Sequence, residues 1–148
     1  TLGTKLGVDF NFSNSNFNFD ISYLGRSLDD SNLDFYTSFN TSLTHKFNSK
    51  HAMSIFYSFK GPRSYISKNT IGEISVQNID LYHMLDISYT VNLLNDLIDF
   101  SIGCNNILNV QNIDAETLIS TFHNSESNGI PISCGRFIFT SLKMNFKK

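Results

Sequence analysis

The sequence predicts an all-β chain, an antiparallel up-and-down sheet of the transmembrane β-barrel type. Three observations predict it. Apolar residues recur at every second position in run after run, the period of a strand with one greasy and one wet face. Connections between the runs alternate between short and long, as in barrels with tight turns on one side of a membrane and loops on the other. The 148 residues are 41% apolar and only 16% charged, with 14 Phe, 6 Tyr and a net charge of -2. The polar remainder is mostly Asn, Ser and Thr, a mixture suited to a wall between lipid and water.

Each run can be justified in order. Leu6, Val8, Phe10 and Phe12 alternate with Gly7, Asp9 and Asn11, and a Ser-Asn turn at 13–16 follows. Phe17, Phe19, Ile21 and Tyr23 then alternate with Asn18, Asp20 and Ser22. The third run sets Phe35, Thr37, Phe39, Thr41, Leu43 and Phe47 against Tyr36, Ser38, Asn40, Ser42 and Thr44. After Asn48-Ser49-Lys50, the fourth sets Met53, Ile55, Tyr57 and Phe59 against Ser54, Ser58 and Lys60. The fifth carries Leu81, Leu85, Ile87, Tyr89 and Val91 outward, with Asp86, Ser88 and Thr90 inward. The sixth opposes Ile98, Phe100, Ile102 and Cys104 to Asp99, Ser101, Gly103 and Asn105. The seventh opposes Ile138, Thr140, Leu142, Met144 and Phe146 to Phe137, Phe139, Ser141, Lys143 and Asn145.

Seven strands are therefore expected, with tight links at 13–16, 48–50 and 92–96 and long ones near 25–33, 61–79 and 109–133. The runs are close to the ~9–11 residues that a tilted strand needs to cross a bilayer. The composition argues against a nucleic-acid binder, which would be basic. No apolar run reaches the ~20 residues of a membrane-spanning helix. The chain starts at Thr1 without Met or leader pattern and is read as a mature fragment. A soluble meander, such as a lipocalin-like barrel binding a small apolar ligand, is the alternative. Against it stand the uncharged aromatic faces, the alternating loop lengths, and Asp9, Asp20, Asp86, Asp99 and Lys143 on the inner face, where a dry barrel would bury them.

Two segments carry a family resemblance. Phe100 to Asn109 reads FSIGCNNILN and resembles the G-x-x-N-L-F-D/N segment near the C-terminus of TonB-dependent outer-membrane receptors. Gly135 to Phe146 reads GRFIFTSLKMNF and is similar to that family's closing G-R-x-x-x-x-x-L-x-x-x-F. Asp86, in Leu85 to Tyr89, matches the strand that precedes them. The specific likeness covers about residues 80–146; the earlier part agrees in pattern only. The resemblance implies that residues 1–148 are the C-terminal part of a 22-strand barrel and not an independent domain. It implies an active transporter of a scarce nutrient (iron chelate, haem, cobalamin, glycan or peptide) and not an enzyme. The implied partners are the plug and remaining strands of the same receptor, the lipid bilayer, TonB through an N-terminal region absent here, and in some receptors a surface lipoprotein. The implied location is the bacterial outer membrane, Bacteroidetes-like in style, with long loops extracellular and the C-terminus periplasmic. A passive porin and a split subunit of a larger uptake or secretion complex are the rival barrels. The chain departs from the family in Lys147 and Lys148 after the terminal Phe, in Cys104 and Cys134, and in having no Trp, so Tyr and Phe must form any interfacial girdle.

Candidate site residues are few. No nucleophile, phosphate-loop or paired-His metal motif occurs, and no cofactor is expected. His123, in the longest loop, is a candidate ligand contact weighed against a loop histidine without a role. His45 and His83 have lipid-face parity near strand ends, and His51 is isolated. Gly61-Pro62-Arg63-Ser64-Tyr65 opens a long loop; Arg63 and Tyr65 there are candidates for gripping an anionic ligand, against the alternative of a plain Pro turn. Arg136 is expected to anchor at the headgroup level. Cys104 and Cys134 are expected at similar heights on neighbouring strands with the same facing. They form either a cross-strand disulfide or two small lipid-facing residues, the second being favoured. By the resemblance, Leu142, Met144 and Phe146 carry the signal read by the barrel-assembly machinery, on a surface that also faces lipid.

Overall fold

A computed structural model of the chain describes residues 2–27, 33–68, 74–94, 97–113, 115–117 and 130–146. Among the described residues there is no helix, and hence none long and apolar enough to cross a membrane. The strands are β1 (Leu2–Asn11), β2 (Ser15–Ser27), β3 (Leu33–Lys46), β4 (His51–Lys60), β5 (Arg63–Lys68), β6 (Ile74–Ile79), β7 (Tyr82–Leu93), β8 (Ile98–Asn105), β9 (Asn112–Ile113), β10 (Ala115–Thr117), β11 (Ile130–Pro131) and β12 (Phe137–Met144).

Seven of them form one antiparallel sheet in the order β1-β2-β3-β4-β7-β8-β12. These are the seven expected strands, in up-and-down order. Their register carries the alternation of the sequence across the sheet. Phe10, Phe17, Leu43, Ile55, Ile87, Cys104 and Ile138 stand in one row, each opposite the next. The neighbouring row on the other face runs Asn11, Asn16, Thr44, Ser54, Ser88, Gly103 and Phe139. A slip of one residue in any pair would send its apolar side chains to the wet face, so the greasy stripe itself fixes the register. Rings stack along the apolar face, Phe39 on Phe59 at 4.8 Å and Tyr23 on Phe35 at 5.2 Å between centroids.

Among the described residues much of the apolar face is left exposed. Leu6 is 63% exposed and Ile138 75%, and no described side chain is fully buried. Among the described residues the buried apolar ones, Ile79 and Ile113, lie instead at the ends of β6 and β9, outside this sheet. Nor is the sheet closed: among the described residues β1 pairs only with β2, and β12 only with β8.

The polar face is knitted by side chains. Lys5 pairs with Asp20 at 3.3 Å, and Asp9 accepts from Asn18. Ser58 donates to Asn40 at 2.8 Å, and hydroxyl pairs join Thr44 to Ser54 and Thr90 to Ser101. Asp99 accepts from Asn92 at 2.9 Å and Asn145 at 3.0 Å. All five charged residues expected on this face are there. Asn48 closes the second tight turn, its Oδ1 accepting the N–H groups of Lys50 and His51 at 2.8 and 2.9 Å.

Three expectations need correction. The long links at 61–79 and 109–133 are not plain loops: β5 and β6 make a hairpin that β10 extends, and β9 pairs with β11. Ala115 pairs with Ile79, so the two loops share a sheet that neither sequence segment announces alone. The link near 25–33 is shorter than expected, because β2 runs to Ser27 and β3 starts at Leu33. Cys104 and Cys134 are not at matching heights. Cys104 stands opposite Ile138, Cys134 precedes β12, and both thiols are free.

Candidate functional site

The chemistry-bearing side chains gather at the long-loop end of the sheet. Arg63 opens β5 just after the Gly61-Pro62 bend. Gly61 donates its N–H to the Thr37 carbonyl at 2.7 Å, and a Cβ on Gly61 would come within 2.8 Å of that oxygen. Only glycine lets the chain leave β4 this close to β3. Asp34 accepts the Ser64 N–H at 2.6 Å. Beside these two pins the Arg63 guanidinium stands 5.7 Å from the ring of Tyr36 and 5.7 Å from that of Tyr82. Tyr36 belongs to β3 and Tyr82 to β7, so Arg63 spans the strand between them. Among the described residues the ion pairs are Lys5–Asp20 and Lys143–Asp99, so Arg63 is held by stacking rather than by a carboxylate. Among the described residues its N–H fork meets no carboxylate.

A second cluster joins β7, β8 and the start of β12. Asn106 is 3% exposed with φ +50°. Its N–H goes to Asp86 Oδ1 at 2.7 Å; its side chain donates to the Val110 carbonyl at 2.7 Å and to Ser133 Oγ at 3.0 Å, and accepts the Val110 N–H at 3.0 Å. Asn109, at φ +57°, accepts the Arg136 N–H at 3.0 Å. The Arg136 guanidinium closes on the Ile107 carbonyl with Nε at 2.9 Å and a terminal nitrogen at 2.6 Å. Gly135 turns the chain at φ +89°, where a side chain would be strained. Asp86, the Asn-Asn-Ile-Leu-Asn run and Gly135-Arg136 are the three pieces that carried the resemblance. The fold brings them into one hydrogen-bonded knot, and in it Arg136 holds backbone rather than standing free.

Two hollows lie nearby. One, of about 70 Å³, opens on the polar face between Phe56 and Phe139, with Asp86, Ser88 and Asn105 at its wall. It is far below the ~300 Å³ of an ordinary ligand pocket. The other, of about 270 Å³, lies where β7 outruns β8 and is lined by Asp80, Leu81, Tyr82, His83, Val110, Asn112 and Ile113.

The remaining expected residues are scattered. Tyr65 lies in β5 opposite Gln77; its side chain and all of His123 lie outside the described residues. Leu142 and Met144 line the exposed apolar face of β12, and Phe146, 81% exposed, lies just beyond the strand. His45, His51 and His83 sit on the apolar face as parity requires. Each bonds a hydroxyl: His45 to Ser15 at 2.7 Å, His51 to Tyr89 at 2.7 Å and His83 to Tyr57 at 3.0 Å. Among the described residues no cluster of His, Cys, Asp and Glu is arranged to hold a metal. Sequence reasoning missed Tyr36 and Tyr82 as partners of Arg63. Their signal was present, since both are aromatics out of phase with the apolar stripe.

The described residues define an antiparallel sheet with one continuous, largely exposed apolar face and one hydrogen-bonded polar face. Comparison with known protein families, with curated proteins and with solved structures returned no match.

Proposed function

We propose that the chain is a stretch of wall of a bacterial outer-membrane β-barrel, the C-terminal strands of a TonB-dependent transporter for a scarce nutrient. The observation that carries the reading is the unbroken apolar row from Phe10 to Ile138, exposed at Phe10, Leu43 and Ile138 and backed by a polar, hydrogen-bonded face. In water such a face would have to be buried; in a bilayer it meets acyl chains, and the Asn/Ser face borders a wet lumen. A soluble ligand-binding barrel would need Phe10, Phe19, Phe39 and Phe100 around a dry core, whereas Phe10 is 49% exposed in an open sheet. The transporter assignment rests on the resemblance of residues 80–146, and the knot of Asp86, Asn106 and Arg136 gives that likeness a physical reason. On this reading the long-loop end, with Arg63 and the loop sheet, faces the outside. That Leu142, Met144 and Phe146 are exposed supports reading them as the signal for an assembly factor.

The 148 residues hold no Trp, and any Trp elsewhere in the assembled protein is first replaced by Phe. A single reporter is introduced as Ile102→Trp on the apolar face or Ser88→Trp on the polar face, in the assembled protein in a bilayer. Lipids brominated on their acyl chains are expected to quench the first strongly and the second little. Equal quenching at both positions, or none at either, overturns the membrane reading.

A further inference from the structure

Strand β7 is longer than the strand beside it. It pairs with β4 along its whole length, Tyr82 opposite Lys60, but with β8 only from Ile87 onward. Asn92 donates its N–H toward β4, to the Lys50 carbonyl, whereas Leu85 offers its carbonyl to Ile107 on the β8 side. Backbone groups in an antiparallel sheet alternate sides with period two, so even-numbered residues of β7 face β4 and odd-numbered ones face β8. By that alternation His83, and Leu81 just before the strand, turn N–H and C=O groups to a side where, among the described residues, no strand lies. Among the described residues none of these backbone groups has a hydrogen-bond partner. The space they face is the open hollow of about 270 Å³, bounded on its far side by Val110, Asn112 and Ile113.

We propose that this step in the sheet seats a short extended peptide, which adds as a strand beside Leu81–His83. The inference rests on the receptor reading and deepens it, by naming peptides as the cargo class captured at the loop-side rim. An unfilled strand edge offers donors and acceptors in alternation, and extended peptide backbone is the ligand that answers both. Leu81 and His83 lie on one face of this edge and meet one set of peptide side chains, with Val110 and Ile113 as apolar wall. Asp80 and Tyr82, of the other parity, and Asn112 across the hollow supply polar contacts for the other. A simple anion would meet the Asp80 carboxylate. The edge from Leu81 to His83 accommodates about two to three residues at ~3.4 Å each.

The test uses the intact protein in lipid nanodiscs and blocked alanine–valine tetrapeptides, followed by calorimetry and saturation-transfer NMR. Saturable binding is expected, and the same peptides methylated on every backbone nitrogen should bind about tenfold more weakly, because methylation removes the donors an edge strand needs. Leu81→Pro removes one N–H on the peptide side and leaves the ladder to β4 in place. It should weaken binding of the unmethylated peptide about tenfold, with slow exchange of the Met84, Asp86 and Ser88 amides retained. Equal binding of both peptide forms, or no saturable binding by the wild-type protein, overturns the proposal; both outcomes are read without any variant. Lipid quenching of the Trp reporters is measured on the same samples. Peptide failure with insertion intact rejects this site alone, and peptide binding without insertion rejects the membrane reading alone.

Discussion

At the scale of single residues, the best-determined side chain is a polar one. Asn106 sits in a left-handed backbone conformation and satisfies Val110 and Ser133 while Asp86 caps its own N–H. Removing the amide strands the Val110 N–H and C=O beneath the loop, and an unpaired inner polar group costs roughly 1–3 kcal/mol. Asn106→Ala is therefore expected to lose about 3 kcal/mol in urea unfolding of the bilayer-inserted protein, because it also keeps a Cβ at positive φ. Asn106→Gly relaxes the backbone and should recover about 1 kcal/mol of that loss. If Asn106→Ala unfolds at the wild-type urea concentration, the knot contributes nothing to stability. The knot was half legible in the sequence. Its pieces stood out as motifs, but their meeting did not, because Arg136 reaches the Ile107 carbonyl across the longest loop and no local pattern encodes that closure.

At the scale of elements, the seven wall strands were legible because their side chains obey a strict period of two against one apolar and one polar surface. Phe10, Phe17, Leu43, Ile55 and Ile87 keep the phase strand after strand. Strands β5, β6, β9, β10 and β11 were not legible. They are short, mixed in composition, and defined by partners distant in sequence, as Ile79 is by Ala115. Loop closure of that kind leaves little trace in any one segment. The same alternation yields a paired test on β4. Ile55 lies mid-strand in the apolar row, and Ser54 beside it faces the polar side. If the apolar face meets lipid as proposed, Ile55→Lys should lower the stability of the folded protein in a bilayer by about 2–4 kcal/mol, the cost of a lysine on a lipid face near mid-membrane, whereas Ser54→Lys should fall within about 1 kcal/mol of wild type. Heat-modifiable gel mobility and urea midpoints read both variants, and equal losses would mean the two faces see the same medium. Phe146→Ala serves as the contrast. It removes a ring beyond the end of β12, so the folded state should unfold at the wild-type urea concentration while the rate of assembly in the outer membrane falls. A normal assembly rate would remove Phe146 from the assembly signal.

At the scale of the whole molecule, the number of strands decides what the sheet can do by itself. Successive strands of the seven-stranded sheet run antiparallel, so the first, β1, and the last, β12, point the same way. Joining them directly would create a parallel pair in an otherwise antiparallel wall. It would also make a ring narrower than the ~8-strand barrels whose interiors are just filled by side chains. Asp9, Asp20, Asp86, Asp99, Lys5 and Lys143 would then crowd into that interior with little water, at a desolvation cost of several kcal/mol per uncompensated charge. An antiparallel closure instead needs an odd number of further strands between the two edges, which in lipid must be supplied because unpaired backbone groups there have no partner. This can be tested with one cysteine on each edge strand, Lys5→Cys on β1 and Lys143→Cys on β12, both polar-facing, with Cys104 and Cys134 replaced by serine. In the assembled protein a short bifunctional thiol reagent is expected to leave the two positions unlinked, because other strands stand between them. As a positive control, Lys5→Cys paired with Ser22→Cys, its neighbour across β1 and β2, should link readily. Efficient linking of positions 5 and 143 would mean that the sheet closes on itself, and the chain would then be a barrel in its own right rather than a section of a larger wall.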